Sequence, residues 1–472
     1  MTDTRTGSEF LQAWDSCYRQ AVSASHVSVL NQARRSWFDT MAASAAGVSE
    51  RCTAAAFQAC TLSGGRMLHP WDEALVLGTT SHALDYDDVC MLATCHPSAP
   101  PVAALLALLP VLVAQRPGLR FADVLSAYLV GTETTLRLGE WLGFQHYALG
   151  FHATGTLGAV GAAAACAHAL RMPVEQAHAA LSIAASSASG LRANFGTDVK
   201  PLHVGFAAAA GVRAVLLVKA GANASDDVWD PAGFFHAFSG GQPAVSLPWK
   251  AGMPWAIEQP GFEHKRFPSC YLTHRLIAGI LAIRERHPGR VHSRPVRIEI
   301  EVPKNGLAPL KHPRPGTGLE GKFSGPYCAA VAWLDGRVEL SSFTDAAVLR
   351  PNVRAQMAGV TLGEREEAGE RLESAPVHVT VSADDWSDTI EVNWAPGSNA
   401  DPLTREQLLG KWTDCADRAG VNGKDAVVRL LDAPLDSAAH DLLGPLRELL
   451  LTAVRRAARK TTPSPAPAVL TG

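Results

Sequence analysis

The long helical periodicity in the first half of the chain constrains its fold more than any other feature. From residue 10 to about residue 240, apolar side chains recur at three- and four-residue spacing, as in Leu30, Ala33, Trp37 and Met41, and strand-like alternation is hardly visible. This spacing places apolar side chains on one face of a helix. The first half of the chain therefore predicts a series of packed helices.

Two apolar segments raise the question of a membrane. Residues 99–114 contain three prolines and are shorter than the roughly 20 residues that span a bilayer. Residues 153–170 are mostly alanine and glycine, small residues that let helices pack backbone to backbone. We expect both segments to form buried helices in a protein that has no membrane partner.

The character of the sequence changes after Pro268. Three segments alternate apolar and polar residues and predict strands: residues 296–302 (VRIEIEV), 377–381 and 389–394. Two segments between the first strand and this pair predict helices: residues 327–334 and 352–359. This part of the chain is therefore predicted to form a smaller α/β or α+β domain.

Helical periodicity returns in residues 403–419 and 438–458, and we expect these helices to pack back onto the first ones. A chain of 472 residues exceeds one ordinary core. The predicted fold class is mainly α with a smaller α/β domain, in which an all-helical domain formed from both ends of the chain carries an inserted, lid-like α+β domain. The predicted boundaries are 1–265 and 403–459 for the helical domain, 266–402 for the α/β domain and 460–472 for a disordered tail.

Charge and cysteine content exclude several classes of protein. The formal net charge is -3 without a long run of one sign, so nucleic acid is not an expected partner. Nine cysteines at irregular spacing, without a CxxC pair, disfavour a disulfide framework and favour a cytoplasmic location. The first ten residues lack the layout of a signal peptide. No glycine signature for nucleotide binding stands at a strand-to-helix turn.

The first candidate site combines residues 81–88 (SHALDYDD) with residues 95–98 (CHPS). On a helix, Asp85 and Asp88 would share a face, and neighbouring buried carboxylates raise one another's pKa until one can act as a proton donor or base. His96 stands in a turn before a proline, from which its imidazole can reach a cleft. The alternative is a helix with a solvated acidic end and a capping histidine.

Two further stretches offer a histidine and a lysine. His152 lies in residues 150–156 (GFHATGT), where a glycine turn enters a helix whose free N–H groups suit a carboxylate. Capping alone would explain the threonines of this stretch, but it explains His152 less well. Lys200 lies in the loop-like residues 192–203, before Pro201, which favours an extended backbone and a projecting side chain. The alternative for Lys200 is a solvated surface charge.

The remaining candidates lie where the character of the sequence changes. Lys265 and Arg266 open residues 265–274, at a domain junction of the kind that favours ligand clefts. A basic hinge without a ligand explains these two cations equally well. Lys322 lies just before a predicted helix that begins at Tyr327, where a tyrosine that faces the core is the ordinary explanation.

The sequence gives little support for a metal site or for a nucleophilic serine or cysteine. Cys90, Cys95 and His96 do not have the spacing of a structural zinc site, and no second pair completes four ligands. No serine or cysteine stands in a nucleophile signature. The sequence therefore predicts no metal and no other cofactor.

Six segments resemble, in the same order along the chain, the MmgE/PrpD family of dehydratases, decarboxylases and epimerases that act on small polycarboxylic acids. The resemblance covers roughly residues 20–455, through HALDYDD (82–88), CHPSAPPVAAL (95–105), GFHATGTLGAVGAAAA (150–165), ASGLRANFGTDVKPLHVGFAAAAG (188–211), KRFPSCYLTH (265–274) and KFSGPYCAAVAWLDG (322–336). It implies an all-helical domain around an inserted α/β domain, an active site between the two, and a homodimer.

The resemblance also implies roles for individual residues. The catalytic set that it implies is Asp85, His96, His152, Lys200, His274 and Tyr327. The substrate-binding set is His203, Lys265, Arg266 and Lys322. The cations would stabilise negative charge on carboxylate oxygens, a histidine would move the proton, and the aspartate would orient that histidine. Val89 stands where decarboxylase-like members carry a threonine, so the exact substrate stays open.

The function predicted from the sequence is that of a cofactor-independent lyase, a dehydratase or decarboxylase, that moves a proton next to a carboxylate of a small polycarboxylic acid. An epimerase or isomerase of a substituted dicarboxylate is the alternative, because it would use the same proton step. A non-catalytic binding protein is a third interpretation, which the presence of His96, His152 and Lys200 disfavours.

Overall fold

A computed structural model of the chain describes residues 6–19, 27–62, 68–230, 232–242, 249–250, 252–290, 296–365 and 375–461. The helices among these residues are α1 (Thr6–Arg19), α2 (Val27–Gly47), α3 (Arg51–Thr61), α4 (Pro70–His82), α5 (Ala99–Gln115), α6 (Phe121–Ala148), α7 (Ala153–Ala169), α8 (Val174–Ser186), α9 (Val199–Lys219), α10 (Phe234–Ser239), α11 (His274–Arg286), α12 (Gly318–Gly321), α13 (Gly325–Asp335), α14 (Asp345–Val348), α15 (Pro351–Met357), α16 (Arg405–Ala419), α17 (Lys424–Asp432) and α18 (Ala439–Thr461). The strands are β1 (Arg297–Pro303), β2 (Val360–Arg365), β3 (Val377–Ala383) and β4 (Trp386–Val392). The prediction of a mainly α fold with a smaller α/β part is confirmed.

Small residues let the central helices approach one another closely, α4 against α9 and α6 against α7. A Cβ atom on Gly78 of α4 would lie 2.9 Å from the Cα atom of Gly205 in α9. In the same way, a Cβ atom on Gly131 of α6 would lie 2.7 Å from the carbonyl oxygen of Gly161 in α7. Such close packing explains the alanine- and glycine-rich composition of these segments. The two segments expected to be buried helices are α5 and α7, and most of their residues are buried.

One helix among the described residues, α9, is long and apolar enough to cross a bilayer by length and composition alone. However, 72% of its most apolar window is buried inside the protein. It packs against α4 and α7. Its apolar character is therefore accounted for by its position in the core.

The sheet has the strand order β2-β1-β3-β4. β1 pairs parallel with β2 and antiparallel with β3, and β3 and β4 form a hairpin. The three predicted strands are present as β1, β3 and β4. The sequence prediction missed β2, an edge strand without the regular burial alternation that marks β1.

Two large hydrophobic clusters organise the molecule. The larger draws on helices from both ends of the chain, from Phe10 to Val454. The smaller runs from Phe267 to Val381 and combines the sheet with α11 and α13. The predicted domain arrangement and its boundaries stay a prediction. Of the predicted disordered tail, residues 460 and 461 end α18, and residues 462–472 lie outside the described residues.

A buried lysine from α16 connects the larger cluster to the segments that carry the candidate site. Lys411 Nζ lies 2.6 Å from Oδ1 of Asp39 in α2. The same ammonium donates to the carbonyl oxygens of Tyr86, at 2.7 Å, and Lys265, at 2.9 Å. Through this lysine, helix α16 holds the DYDD and KRFP segments in place. All nine cysteines are free, in agreement with the sequence prediction of no disulfide framework.

Candidate active site

Asp85 lies at the centre of the candidate site, in a turn rather than on a helix. Helix α4 ends at His82, and Asp85 has a φ of 55°, in the left-handed region that few residues other than glycine adopt. The predicted shared face of Asp85 and Asp88 is therefore wrong. The carboxylate of Asp88 instead accepts hydrogen bonds from the backbone N–H and the hydroxyl of Ser98. The unusual φ at a buried polar residue is typical of functional sites.

Two lysines and a histidine converge on the Asp85 carboxylate. Lys200 Nζ lies 2.6 Å from Oδ1, and Lys265 Nζ lies 3.2 Å from Oδ2. Lys265 also donates to the backbone carbonyl of Asp85 at 2.7 Å, and His96 Nε2 lies 3.3 Å from Oδ1. Burial by itself would raise the pKa of Asp85, but Lys200 and Lys265 hold it well below its ordinary value. The carboxylate is therefore ionised and orients both ammonium groups.

The structure places Lys200 in the first turn of α9, where the sequence had predicted a loop with an extended backbone. Pro201 follows within the same turn, where a helix tolerates proline because the first N–H groups have no partner inside the helix. The Lys200 side chain is buried, and its ammonium lies 5.1 Å from the centre of the Phe195 ring. The alternative of a solvated surface charge is therefore wrong.

A second buried carboxylate, Asp87, holds a pair of histidines. His82 Nδ1 lies 2.9 Å from Oδ1 and 3.0 Å from Oδ2 of Asp87. His96 Nδ1 lies 3.2 Å from Oδ2 of Asp87, and the rings of His82 and His96 are 4.4 Å apart. Burial lowers the pKa of His82 to about 4, which keeps its imidazole neutral. This arrangement fixes the orientation of the His96 ring between two carboxylates.

His152 lies at the N-cap position of α7, in accordance with the predicted helix start. Its Nδ1 atom lies 3.1 Å from Nδ1 of His203, which projects from α9 one turn after Lys200. Burial first, and the neighbouring His82 and Lys200 next, hold the pKa of His152 well below its ordinary value. His152 is therefore a neutral imidazole whose ring orientation is set by His203.

These groups line a cavity of 140 Å³. Its polar end is formed by Asp85, His96, His152, Lys200 and Lys265, and its other lining residues include Val89, Met91, Tyr147, Phe195, Cys270, Tyr271, Leu272, Pro309 and Phe323. An adjoining cavity of 390 Å³ shares Asp85, Lys200 and Phe323 and adds Lys322. A larger cavity of 740 Å³ lies elsewhere, where Asp123 pairs with Arg116, Arg120 and Arg171. The convergence of buried titratable groups identifies the smaller cavity as the candidate site.

Lys322 reaches the Asp85 turn from the smaller cluster. Its buried ammonium donates to the backbone carbonyl of Leu84. Burial lowers the pKa of this lysine to about 8. The lysine therefore supports the turn and contributes positive charge to the adjoining cavity.

Four of the residues implied by the resemblance do not line these cavities, and one of them, His203, reaches the site only through its contact with His152. The Tyr327 side chain lies in the smaller hydrophobic cluster, and its hydroxyl donates to the backbone carbonyl of Ser342. The His274 ring is fully buried between the rings of Phe267 and Tyr271, each 5.3 Å away. Arg266 turns its guanidinium towards the Phe267 ring. The structure therefore brings together Asp85, His96, His152, His203, Lys200, Lys265 and Lys322 and leaves Tyr327, His274 and Arg266 outside the lining of both cavities.

The sequence prediction did not single out several residues that the structure brings to the site. His82 and Asp87 belong to the HALDYDD segment, but the assumption of a continuous helix directed attention to Asp85 and Asp88. Phe195 and Phe323 were indistinguishable from core residues, because only their contacts with the Lys200 ammonium mark them. Cys270 lines the cavity as a buried thiol whose pKa burial raises to about 11, so it stays protonated.

Among the described residues, His82, Asp85, Asp87 and His96 place their ligand atoms within 4.8 Å of one another, close enough to hold a metal ion. The charges argue against such a site. Both oxygens of Asp85 already face lysine ammonium groups, and both oxygens of Asp87 face His82. The lysine ammonium groups already neutralise the Asp85 carboxylate. A divalent cation would therefore have to displace an ammonium to bind there.

The chain matches the MmgE/PrpD N-terminal domain over residues 17–246 and the MmgE/PrpD C-terminal domain over residues 267–437. The chain therefore belongs to the MmgE/PrpD family, as the sequence resemblance indicated. The cis-aconitate decarboxylase of Homo sapiens is 30% identical to it over 365 residues, which cover 73% of this chain and 72% of that protein. The cis-aconitate decarboxylase of Aspergillus terreus is 27% identical over 414 residues, which cover 83% of this chain and 84% of that protein.

Proposed function

We propose that this protein is a lyase that removes CO₂, or alternatively water, from a small polycarboxylic acid by proton transfer next to a carboxylate. The observation that carries the proposal is the convergence of the Lys200 and Lys265 ammonium groups on one buried carboxylate, beside the neutral imidazole of His152. The similarity to cis-aconitate decarboxylases supports a lyase, and within that class it favours loss of CO₂.

Lys200 and Lys265 bind and polarise the substrate. Asp85 holds both ammonium groups at the polar end of the cavity, where a carboxylate of the substrate can accept hydrogen bonds from them. When a C–C bond to a leaving carboxylate breaks, the electron pair moves onto the carbon skeleton and is delocalised onto a remaining carboxylate. Positioned cations stabilise that developing charge most in a cavity that excludes water.

His152 and His96 are placed to handle the proton. His152 is neutral, so it can accept a proton from a carbon next to a carboxylate and return it to a carbanionic carbon. His96 lies between the carboxylates of Asp85 and Asp87 at the polar end of the same cavity, so it is the second group placed to transfer a proton. In a decarboxylation, the proton delivered to carbon replaces the CO₂ that has left, so atoms and charge balance.

The proposal requires no metal or organic cofactor, because stabilisation of charge comes from the lysines and proton transfer from the histidines. A cytoplasmic homodimer stays a prediction from the sequence and its resemblance. Incubation of the purified protein with a panel of di- and tricarboxylic acids, including cis-aconitate, tests the proposal. We expect release of CO₂ or water from at least one acid and its loss in His152→Gln. Equal release by the variant would contradict the assigned site.

A further inference from the structure

His152 and His203 face each other through the same ring atom. The Nδ1 atoms of these two buried imidazoles lie 3.1 Å apart, within hydrogen-bond distance. Two ring nitrogens form a hydrogen bond only when one carries a hydrogen and the other presents a lone pair, and a neutral imidazole carries one hydrogen on its two nitrogens. The position of the shared hydrogen therefore decides whether Nε2 of His152 presents a lone pair or an N–H group.

The backbone around the pair holds the two rings in this contact. The N–H of His152 donates to the carbonyl oxygen of Gly190 at 3.0 Å. Gly190 has a φ of 138°, and a Cβ atom there would lie 3.3 Å from Cγ of His203 and 3.4 Å from Cβ of His152. A Cβ atom on Gly155 of α7 would lie 3.2 Å from Cβ of His203. This close packing keeps the two rings together, so the mobile part of the pair is the shared hydrogen.

His203 acts on a substrate through His152 rather than directly. His152 lines the cavity of 140 Å³, whereas His203 lines neither this cavity nor the adjoining one. The two nitrogens of an imidazole are distinct and point in diverging directions. A proton that His152 takes up at Nε2 can therefore be matched by a proton that it passes to His203 at Nδ1.

The charges around the pair favour an extra proton on His203 rather than on His152. Lys200 on α9, His82 at the end of α4 and His96 in the loop that follows all act on His152, as does His203 itself. Burial first, and these neighbours next, hold the pKa of His152 well below its ordinary value. Burial first, and Lys200 next, also lower the pKa of His203. Fewer groups oppose a charge on His203, so a proton added to the pair rests mainly there.

We propose that His203 is a positioning residue that stores the proton that His152 transfers, an inference that rests on the proposed function. In the charged state of the pair, His203 carries hydrogens on both nitrogens and donates its Nδ1–H to His152, whose hydrogen is on Nε2. When His152 gives this proton to the substrate, the Nδ1 proton of His203 moves to Nδ1 of His152, and both rings are neutral. For loss of CO₂, a hydronium ion from solvent recharges the pair after each turnover. For loss of water, the proton taken from the substrate carbon recharges it.

Replacement of His203 by asparagine separates storage from positioning. The amide takes the place of Nδ1 and can form a hydrogen bond with His152, but it cannot take up a proton. With an acid that the wild type converts, kcat at neutral pH should fall at least about 10-fold. KM should change less than about 2-fold, because His203 lines neither cavity. The midpoint of the histidine-dependent limb of the pH profile should move to lower pH by about one unit, because the proton then rests only on His152.

The matched control is His440→Asn, at an exposed position in α18, which should change neither kcat nor the midpoint. A second measurement needs no substrate and no variant of His203. In ¹⁵N NMR spectra of the histidine-labelled wild type, the two Nδ1 nuclei should show a coupling across their hydrogen bond, identified by its loss in His152→Gln. On acidification, His203 should gain its second hydrogen before His152 does. Protonation of His152 first would contradict the proton store.

The outcomes separate this inference from the proposed function. A kcat of His203→Asn within about 2-fold of the wild type would overturn the proton store. A loss of kcat with an unmoved midpoint would show that His203 only holds His152 in place, so that storage is wrong while the active site stands. If the wild type converts no acid, the proposed function fails, and the order of protonation in the ¹⁵N spectra decides on the proton store by itself.

Discussion

Lys200 Nζ lies 2.6 Å from Oδ1 of Asp85, although the two residues are 115 positions apart in the chain. Both side chains are buried, and Lys265 approaches the other oxygen of the same carboxylate. A buried ion pair costs free energy to desolvate. The presence of this pair is therefore weak evidence that it serves to stabilise the fold. A role in holding two cations towards a cavity accounts better for its position.

Replacement of Lys200 by methionine should abolish most of the activity while the protein remains folded. Loss of a positioned electrostatic donor typically lowers turnover by about 100- to 1,000-fold. Breaking a buried pair costs about 3–5 kcal/mol where no other partner remains, but here Lys265 still neutralises Asp85, so we expect a smaller loss. Steady-state kinetics and thermal unfolding measure the two effects.

The matched control is Lys219→Met, at the exposed end of the same helix. It removes the same charge and should change neither turnover nor melting temperature appreciably. Full turnover by Lys200→Met would disprove its assigned role. An equal loss in both variants would show that the effect comes from net charge rather than from position.

His152 and His82 should remain neutral well below the pH at which an exposed histidine gains its proton. Burial lowers the pKa of both, to about 4 for His82. The pKa of each group is lower in the folded state than its value of about 6.5 in the unfolded state. As the pH falls through about 6.5 the unfolded state therefore binds more protons, and the free energy of unfolding decreases. Proton NMR of the imidazole Cε1–H signals, assigned with His152→Gln and His82→Gln, should show no titration of either ring between pH 5.5 and 7.5. A midpoint near pH 6.5 would contradict the neutral assignment.

Gly139 should be essential for the position of the loop that leads to His96. A Cβ atom at this position in α6 would lie 2.1 Å from the Cβ atom of Ala93. Gly139→Ala should therefore lower the free energy of unfolding by about 1–3 kcal/mol through overpacking. It should also lower turnover, because Ala93 lies in the segment that carries Met91, Thr94 and Cys95 to the cavity. Chemical denaturation and kinetics test both expectations.

The control for this variant is Gly410→Ala in α16, where an added Cβ atom meets nothing within 4 Å. Alanine in an open helical position should stabilise the protein by about 0.5–1 kcal/mol relative to glycine. If Gly139→Ala were equally stabilising, the close packing of α6 against the loop would be wrong.

Dialysis against a strong chelator should leave turnover unchanged. The proposed chemistry uses Lys200, Lys265 and the histidines, and the ammonium groups already neutralise Asp85. Turnover before and after dialysis, with elemental analysis of both samples, is the measurement. Activity that disappears and returns on addition of zinc or another divalent cation would instead assign a metal to His82, Asp85, Asp87 and His96.

Hydrophobic periodicity predicted most helices and strands, because the burial of one face of an element requires apolar residues at regular spacing. The helical first half and the alternating strands β1 and β3 each have one face towards a core. β2 at the edge of the sheet has no such regular pattern, and α9 begins inside the segment predicted as a loop, because a proline is tolerated in its first turn. Local patterns therefore located the elements, while their ends depended on turn chemistry.

The members of the site could be predicted from the sequence only through their resemblance to family motifs. The stretches around His96, His152 and Lys200 lie far apart in the sequence, and no local rule states that they meet. The turn at Asp85 could not be predicted, because a left-handed aspartate is stable only when surrounding contacts hold it there. For the same reason, the sequence could not place Tyr327 and His274 outside the lining of the cavities.

The measurement that tests the central claim most directly is proton NMR in D₂O of the wild-type protein and Lys200→Met with a panel of di- and tricarboxylic acids. The account predicts that the wild type forms a product that has lost CO₂ or water, with deuterium at the carbon that receives the proton, and that the variant forms almost none. Deuterium exchange next to a carboxylate with an unchanged carbon skeleton would contradict the lyase and assign an epimerase. The absence of any reaction or exchange would contradict the catalytic role of the Asp85 cluster.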